Sequence, residues 1–274
     1  MLEQLSGATR VHVIVGDPIA QVKSPFGMTQ AFEAAGQNAI CIPAHVSSEH
    51  LSAWFNAVRV TQNIDGLIIT IPHKFACTSF CDTLSDRAAF LGAVNVLRRL
   101  PDGRWQGDMF DGLGYVKALH HNGCDPRGKA ALLIGAGGAG SAIAHGLVQA
   151  GVSRLSIVDP QIERCDPLAH RLNDLKQCPV TSGAAQIQGF DLVINATPMG
   201  MKANDPLPAP TQGLQPHIDY LRSQKSILVI SGATTSDDGK QYVGSLLIVN
   251  VKTRAEAQAF VDRSEEHTSE LQSH

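Results

Sequence analysis

Short apolar runs alternate with amphipathic segments along the first part of the chain. Three runs rich in β-branched residues, Arg10–Val15, Ala39–Pro43 and Asp65–Ile71, predict strands. The segments between them, Phe26–Ala35 and Ser47–Arg59, carry apolar residues at helical spacing. Strand–helix–strand alternation predicts right-handed crossovers and a mostly parallel sheet, so the fold class indicated is α/β.

A second unit of the same kind follows after residue 128. The elements expected there are, in order, a strand at Ala130–Ile134, a glycine-rich turn at Gly135–Gly140, a helix from about Ser141 to Ala150, a strand at Leu155–Val158, a helix at Gln161–Lys176 and a strand at Asp191–Asn195. This order is typical of a nucleotide-binding α/β unit.

Composition narrows the class of protein. With 43% apolar and 17% charged residues among 274, the chain is unlike a disordered protein. A net charge of −3 gives no reason to expect nucleic acid or an anionic membrane as partner. No apolar run is long enough for a transmembrane helix, and the N-terminus lacks the pattern of a signal peptide, so we expect a cytoplasmic protein. The six cysteines are scattered, which predicts reduced thiols and no metal site.

The glycine-rich turn has the spacing of a dinucleotide-binding motif. Gly135 permits a tight turn, Gly137 lets the backbone approach a pyrophosphate, and Gly140 allows close packing of helix on strand. The helix that follows offers free N–H groups and a positive dipole end to phosphates. Asp159 lies 24 residues after Gly135, at the end of the next strand. Its carboxylate can bind a ribose 2′-hydroxyl and repel a 2′-phosphate, or it can cap a helix.

Three polar side chains follow or precede strands of the first half. Lys74 lies just past the third strand, Asn95 lies at the start of another strand, and Asp111 lies at a turn before a helix. Ligands of open α/β sheets bind at the carboxyl ends of strands, so Lys74 and Asp111 are expected in one cleft. Such a pair can exchange a proton with an alcohol or carbonyl. The alternative for Lys74 is a solvated surface lysine, and His73 beside it is expected to form local hydrogen bonds.

Six segments together resemble the shikimate/quinate dehydrogenase family over residues 10 to 214. They are GDPIAQVKSP, ITIPHK, GAVN, GDMFDG, LLIGAGGAG and NATPMGM. The resemblance implies an N-terminal α/β substrate-binding domain at 1–110 and a truncated Rossmann-like dinucleotide-binding domain at 111–215. It also implies NAD(P)-dependent interconversion of 3-dehydroshikimate and shikimate, with a small-molecule substrate as the partner.

The same resemblance assigns residues to roles. Lys74 would transfer the proton with Asp111 as its partner. The implied substrate-binding residues are Ser24 for the carboxylate and Thr70, Asn95 and Asp111 for the hydroxyls. The implied cofactor-binding residues are Gly135, Ala136, Gly137, Gly138 and Ala139 at the pyrophosphate, and Asn195, Ala196 and Thr197 near the nicotinamide.

Two positions depart from the family pattern. Val22 stands where a second serine usually precedes the proline, which favours quinate or a related hydroxy acid as an alternative substrate. Asp159-Pro160 stands where NADP-using members carry Asn-Arg, so NAD is favoured as cofactor. Arg164, one helical turn on, can still reach a 2′-phosphate, which keeps NADP open.

The last third of the chain lacks the family's closing segments. Residues 216–262 resemble a fragment of the YCII-like family, a small ferredoxin-like α+β module, with His217 and Asp237 at its site positions. Helices are expected at 217–223 and 254–261, and strands at 227–230 and 245–251. Residues 263–274 resemble a translated sequencing adapter and are expected to be disordered. Two further interpretations stay open. The chain is an inactive nucleotide-binding remnant, or it is a YCII-type module in whose function the rest of the chain has no part.

Overall fold

The chain folds into two compact units, Met1–Phe110 and Asp111–His274. The structure is a computed structural model that describes residues 5–183 and 189–198, and the backbone of four short strands between residues 228 and 249. The expected helices at 217–223 and 254–261, His217, Asp237 and the 263–274 tail lie outside the described residues. Among the described residues, no helix is long and apolar enough to cross a bilayer, and no cluster of three His, Cys, Asp or Glu side chains can hold a metal ion.

The first unit alternates strands and helices before it ends in a hairpin. Its strands are β1 (Arg10–Gly16), β2 (Ala39–His45), β3 (Ile64–Ile69), β4 (Thr83–Leu84), β5 (Val96–Arg99) and β6 (Trp105–Asp108). Its helices are α1 (Ser24–Ala34), α2 (Leu51–Val60) and α3 (Asp86–Leu91), with a short 3-10 helix at Ala76–Phe80. The strands predicted from apolar runs therefore form, with ends shifted by one or two residues.

The six strands form one mixed sheet in the order β2-β1-β3-β5-β6-β4. β1 pairs in parallel with β2 and with β3, as the strand–helix–strand alternation predicts. β5 and β6 form an antiparallel pair, and β5 runs antiparallel to β3. Only five residues, 100–104, join β5 to β6, a connection too short for a parallel crossover. The sequence analysis did not identify this hairpin because its strands are short and partly charged.

The second unit contains a parallel four-stranded sheet. Its elements are α4 (Asp111–His121), β7 (Ala130–Ile134), α5 (Gly138–Gln149), β8 (Arg154–Val158), α6 (Ile162–Asp174), β9 (Val180–Ser182) and β10 (Leu192–Asn195). The strand order is β10-β7-β8-β9, and every residue of β7 is buried. β8 and β9 add on one side of β7 and β10 adds on the other, so the strand order reverses between β7 and β10 while all four strands stay parallel. Ligands of doubly wound sheets bind at such a switch point.

Four short strands are described in the last part of the chain. β11 (Leu228–Ile230) pairs antiparallel with β14 (Leu247–Val249), and β12 (Thr234–Thr235) pairs antiparallel with β13 (Tyr242–Val243). β11 and β14 fall within the strands expected at 227–230 and 245–251. β14 comes within 8 Å of β10 between Cα atoms, but it belongs to a separate two-stranded sheet.

Candidate active site

The carboxyl ends of β1 and β3 meet at Thr70. Its amide donates to the carbonyl of Val15 at 3.0 Å, and the amide of Asp17 donates to the carbonyl of Ile71 at 2.9 Å. A Cβ added to Gly16 would overlap the Thr70 methyl group and lie 2.8 Å from the Ile71 carbonyl oxygen. A glycine at position 16 is therefore required for the two strand ends to come this close.

Lys74 follows Thr70 in a turn whose backbone is held on both sides. The amide of His73 donates to the Thr70 carbonyl at 3.0 Å, and the amide of Val94 donates to the Lys74 carbonyl at 2.9 Å. His73 is 1% exposed, and its Nε2 lies 2.7 Å from the carbonyl oxygen of Val46. The expectation of local bonding for His73 is therefore wrong for its side chain, whose partner lies 27 residues away along the chain.

Asn95 is fixed by three hydrogen bonds next to this turn. Its amide donates to the Asp108 carbonyl at 2.9 Å, and its carbonyl accepts from the amide of Ile69 at 2.7 Å. Its side-chain Oδ1 accepts from the Phe110 amide at 2.8 Å. This last bond orients the side-chain amide, whose Nδ2 is a hydrogen-bond donor. Thr70, Lys74 and Asn95 lie together at one edge of the first unit.

Ser24 and Val22 lie in the segment that follows β1, at the same edge of the sheet. Ser24 is the first residue of α1 and is half-buried, with Pro25 behind it in the first turn. Val22 is also half-buried, and its amide donates to the Ile19 carbonyl at 3.2 Å. Position 22 therefore offers no side-chain donor, whereas Ser24 offers a hydroxyl.

Asp111 is the first residue of α4 and belongs to the second unit. The next residue, Gly112, faces α5 so closely that an added Cβ would overlap the carbonyl oxygen of Ala142. A Cβ on Gly146 would likewise lie 2.7 Å from the Gly112 carbonyl oxygen. Because α5 is the helix that follows the glycine-rich turn, this helix contact fixes Asp111 relative to that turn.

The glycine-rich turn is tight at its ends and open in its middle. Gly135 has a φ of +104°, and its amide donates to the Val158 carbonyl at 2.7 Å. A Cβ on Gly140 would overlap the Gly135 carbonyl oxygen, whereas a Cβ on Gly137 would meet nothing within 4 Å. Gly138 begins α5, with Ala139 in its first turn. The turn therefore fits a pyrophosphate set against the helix N-terminus.

The segment after β10 packs on this turn. The amide of Ala196 donates to the Ile134 carbonyl at 2.7 Å, and a Cβ on Gly135 would lie 2.9 Å from the Ala196 backbone. The buried Asn195 accepts from both the amide and the hydroxyl of Thr197, at 2.9 and 2.7 Å. These three residues therefore line the switch point between β7 and β10.

Asp159 connects the end of β8 to the glycine-rich turn. Its Oδ2 accepts from the Ala136 amide at 2.7 Å, and its Oδ1 accepts from the Gln161 amide at 2.9 Å. The N-cap of α6 is Gln161. The interpretation of Asp159 as the cap of that helix is therefore wrong, because its carboxylate instead joins the glycine-rich turn to the residue that precedes α6. Arg164 lies exposed in the first turn of α6.

Sequence reasoning missed an ion pair next to Asn95. Asp108, the last residue of β6, accepts from Arg87 at 2.7 and 2.6 Å and also from the hydroxyl of Ser85. Burial would raise the pKa of Asp108, but the hydrogen bonds from Arg87 and Ser85 and from the Met109 amide lower it below its ordinary value. The signal in the sequence is the first aspartate of GDMFDG, at a strand end.

Comparison with known proteins gives the family. The shikimate dehydrogenase substrate binding domain matches residues 14–97, and the shikimate / quinate 5-dehydrogenase domain matches residues 118–202. A shikimate dehydrogenase (NADP(+)) from Rubrobacter xylanophilus is 34% identical over 219 residues, which cover 78% of this chain and 77% of the relative. The chain belongs to the shikimate dehydrogenase family. It is accordingly an oxidoreductase of the type that uses a nicotinamide dinucleotide, and a YCII-related domain matches residues 200–270.

Solved structures of the shikimate dehydrogenase family share the fold. Shikimate 5-dehydrogenase from Listeria monocytogenes, in complex with shikimate and NAD, superposes with a TM-score of 0.67 at 26% identity, covering 76% of this chain and 75% of that one. The 5-ketofructose reductase of Gluconobacter superposes with a TM-score of 0.63 at 27% identity, covering 75% and 74%. Because these two names differ in substrate, the shared fold leaves the substrate to be argued from side chains.

Proposed function

We propose that this chain interconverts 3-dehydroshikimate and shikimate, with Lys74 as the proton-transfer residue and Asp111 as its partner. The observation that supports this most directly is that Thr70, Lys74 and Asn95 share one edge of the first unit, with the backbone of Lys74 held from both sides. Lys74 is also half-buried rather than fully exposed. In this proposal residues 1–110 bind the substrate and residues 111–215 bind the dinucleotide.

The proposed reaction transfers a hydride and a proton, and two different groups supply them. A bound nicotinamide supplies or accepts the hydride. Reduction of a ketone also needs a proton on its oxygen, and the Lys74 Nζ gives that proton and takes it back in the reverse direction. The Asp111 carboxylate accepts a hydrogen bond from a substrate hydroxyl, whereas Thr70 and the Nδ2 of Asn95 donate to substrate oxygens. Ser24 donates to the substrate carboxylate.

NAD is the proposed cofactor. The Asp159 carboxylate carries its negative charge at the end of β8, and Pro160 after it brings no cation. That charge repels the 2′-phosphate of NADP, whereas a ribose hydroxyl can donate to it. Arg164 is the residue that would hold a 2′-phosphate if NADP also binds. The pyrophosphate would rest on residues 135–139, and the nicotinamide side would face Asn195, Ala196 and Thr197.

Quinate or a related hydroxy acid is a second candidate substrate. The observation in its favour is Val22, which leaves Ser24 as the hydroxyl of that segment for a carboxylate. Turnover of shikimate and quinate, each with NAD and with NADP, ranks the four combinations by kcat/KM. A cytoplasmic location and a small-molecule partner complete the proposal.

Replacement of Lys74 tests the mechanism. Lys74→Ala is expected to lower kcat by about 10²–10⁴-fold while the KM for substrate changes little, because the lost group acts on the proton in the transition state. The matched control is Lys117→Ala, at an exposed position of α4. A Lys74→Ala variant with the kcat of the parent chain would show that this lysine is only a surface residue.

A further inference from the structure

Arg87 and Asp108 form a two-pronged ion pair beside the proposed site. Nε of Arg87 donates to Oδ1 of Asp108 at 2.7 Å, and a terminal nitrogen donates to Oδ2 at 2.6 Å. The two side chains are 29% and 21% exposed. Ser85, the N-cap of α3, adds its hydroxyl to the same carboxylate. The pair thus ties the first turn of α3 to the last residue of β6.

The same two residues contact the segment that leads to Asp111. The guanidinium carbon of Arg87 lies 4.5 Å from the ring centroid of Phe110, in the geometry of a cation–π contact. Phe110 is the residue before Asp111, and its amide donates to Oδ1 of Asn95. The carbonyl of Asp108 in turn accepts from the amide of Asn95 at 2.9 Å.

We propose that Arg87 and Asp108 are positioning residues for the reaction. They hold the Phe110 amide and the Asn95 side chain in place within the first unit. This proposal rests on the proposed role of Asn95. Neither Arg87 nor Asp108 needs to touch the substrate for it, because each acts through Phe110 or Asn95.

The physical reason is that the network leaves Asn95 one orientation. Its Oδ1 accepts from the Phe110 amide, and a half-turn of the side-chain amide would set the Nδ2 donor against that N–H donor. Phe110 keeps its place because its ring packs under the Arg87 guanidinium, which is itself locked by the Asp108 carboxylate. A displacement of about 1 Å at such a site can cost on the order of 10² in rate.

A second ion pair in the same unit provides a matched control. Arg10 and Asp65 also form a two-pronged pair, with Nε of Arg10 2.6 Å from Oδ2 of Asp65. Arg10 begins β1 and Asp65 is the second residue of β3, so this pair lies at the opposite edge of the sheet from Thr70 and Lys74. Its loss affects stability without reaching the site.

The experiment compares Asp108→Asn, Arg87→Lys, Arg87→Ala and Asp65→Asn with the parent chain of 274 residues. Shikimate affinity is measured by calorimetry, and kcat and KM are measured with NAD across pH. Asp108→Asn is expected to weaken shikimate binding and to lower kcat by about ten-fold each, a loss on the scale seen when hydrogen-bond partners that orient a metal-binding side chain are removed. Arg87→Lys keeps the positive charge but loses the two-pronged contact with Asp108. Its losses of affinity and kcat should therefore be about half of those in Arg87→Ala on a logarithmic scale. Asp65→Asn should leave both quantities within about two-fold.

The outcomes separate this inference from the proposed function. Affinity and kcat within two-fold of the parent in Asp108→Asn overturn the positioning role, as does an equal loss in Asp65→Asn. If Asp108→Asn does not fold, the comparison of Arg87→Lys with Arg87→Ala decides, and equal values in those two variants also overturn it. The Lys74→Ala variant is assayed in parallel. Loss of activity there with unchanged Asp108→Asn refutes only this inference, whereas parent-like activity in Lys74→Ala refutes the proposed function.

Discussion

The imidazole Nε2 of His73 donates a hydrogen bond of 2.7 Å to the carbonyl oxygen of Val46. A carbonyl only accepts, so this nitrogen carries the proton. Val46 follows the last residue of β2, and His73 precedes Lys74. The bond therefore ties the exit of β2 to the turn that presents the proposed proton-transfer residue, in an interior where water does not replace a lost partner.

His73→Ala should both destabilise the protein and slow it. The variant leaves the Val46 carbonyl without its partner and opens a cavity, which costs about 1–3 kcal/mol for the unpaired group alone. Urea unfolding measures this loss. We also expect a lower kcat, because the Lys74 turn loses one of its supports. The control is His50→Ala, whose side chain is 70% exposed and should change the free energy of unfolding by less than about 0.5 kcal/mol. Equal stability of the two variants would contradict the anchoring role of His73.

Asp159 should affect both cofactor choice and cofactor binding. Asp159→Asn keeps an oxygen for the Ala136 amide but removes the charge. The ratio of kcat/KM with NADP to kcat/KM with NAD should therefore rise by an amount equivalent to roughly 1–3 kcal/mol. Asp159→Ala also removes the hydrogen bond to the glycine-rich turn, so both cofactors should bind more weakly than in Asp159→Asn. Steady-state kinetics with each cofactor measure both effects.

Arg164→Ala is the companion variant for the cofactor argument. Arg164 is exposed in the first turn of α6 and is proposed to hold a 2′-phosphate, so its loss should lower kcat/KM for NADP and leave that for NAD within about two-fold. An unmutated chain that uses NAD and NADP equally well would show that the Asp159 carboxylate serves only the two backbone amides.

His12 should make the first unit less stable in mild acid. Its ring stacks on Phe32 with centroids 4.5 Å apart, and burial lowers its pKa below 6.5, against a raising effect of Asp65 and with a lowering effect of Arg10. A histidine whose folded pKa is depressed favours the neutral form, so the unfolded chain binds more protons as pH falls below about 6.5. Stability contributed by neutral His12 is therefore present above that pH and declines below it.

The variant His12→Gln isolates this contribution. Its melting temperature should fall less between pH 7.5 and pH 5.5 than that of the parent chain. His170→Gln, with a side chain 82% exposed, should keep the pH dependence of the parent. Identical pH dependence in the parent chain and His12→Gln would refute the role of His12.

Local sequence patterns predicted much of the fold because burial determines both which residues are apolar and which segments form strands. β7 forms over the residues that its apolar run marks, since a strand buried on both faces must be apolar throughout. α5 begins at Gly138, three residues before the expected start, because helical geometry continues into the glycine-rich turn. β5 and β6 carry charged and polar residues, which weakens the strand signal there.

Hydrogen bonds between residues far apart in the chain account for the features of the candidate site that were not predicted. Lys74, Asn95 and Asp111 were identified from motifs that occur near strand ends. The side chains of His73, Arg87 and Asp108 have hydrogen-bond partners 27 or 21 residues away in the chain, which no local spacing reveals. Asp159 was predicted to bind the cofactor ribose, and its hydrogen bond to the Ala136 amide could not be derived from local spacing.

The junction near residue 200 should limit stability and activity. The family match ends at residue 202, and the YCII-related match begins at residue 200. β10 is the last strand in the order of the four-stranded sheet, and β14 does not extend its ladder. The buried Leu192 and Ile194 of β10 therefore sit on a strand whose second edge lacks a ladder partner among the described strands.

Calorimetry and an NAD-linked assay on the 274-residue chain test this expectation. The comparison variant replaces residues 203–274 with the corresponding segment of the Rubrobacter relative. Because a few buried side chains rival the total free energy of unfolding, the replacement should raise the melting temperature by roughly 2–4 °C for each kcal/mol gained and should raise turnover. Genomic DNA read across codons 205–274 tests the adapter-like tail directly. A cooperative melt and equal turnover in the chain as written would mean that the fusion is a working architecture, in which the YCII-related segment takes over the role of the missing family strands.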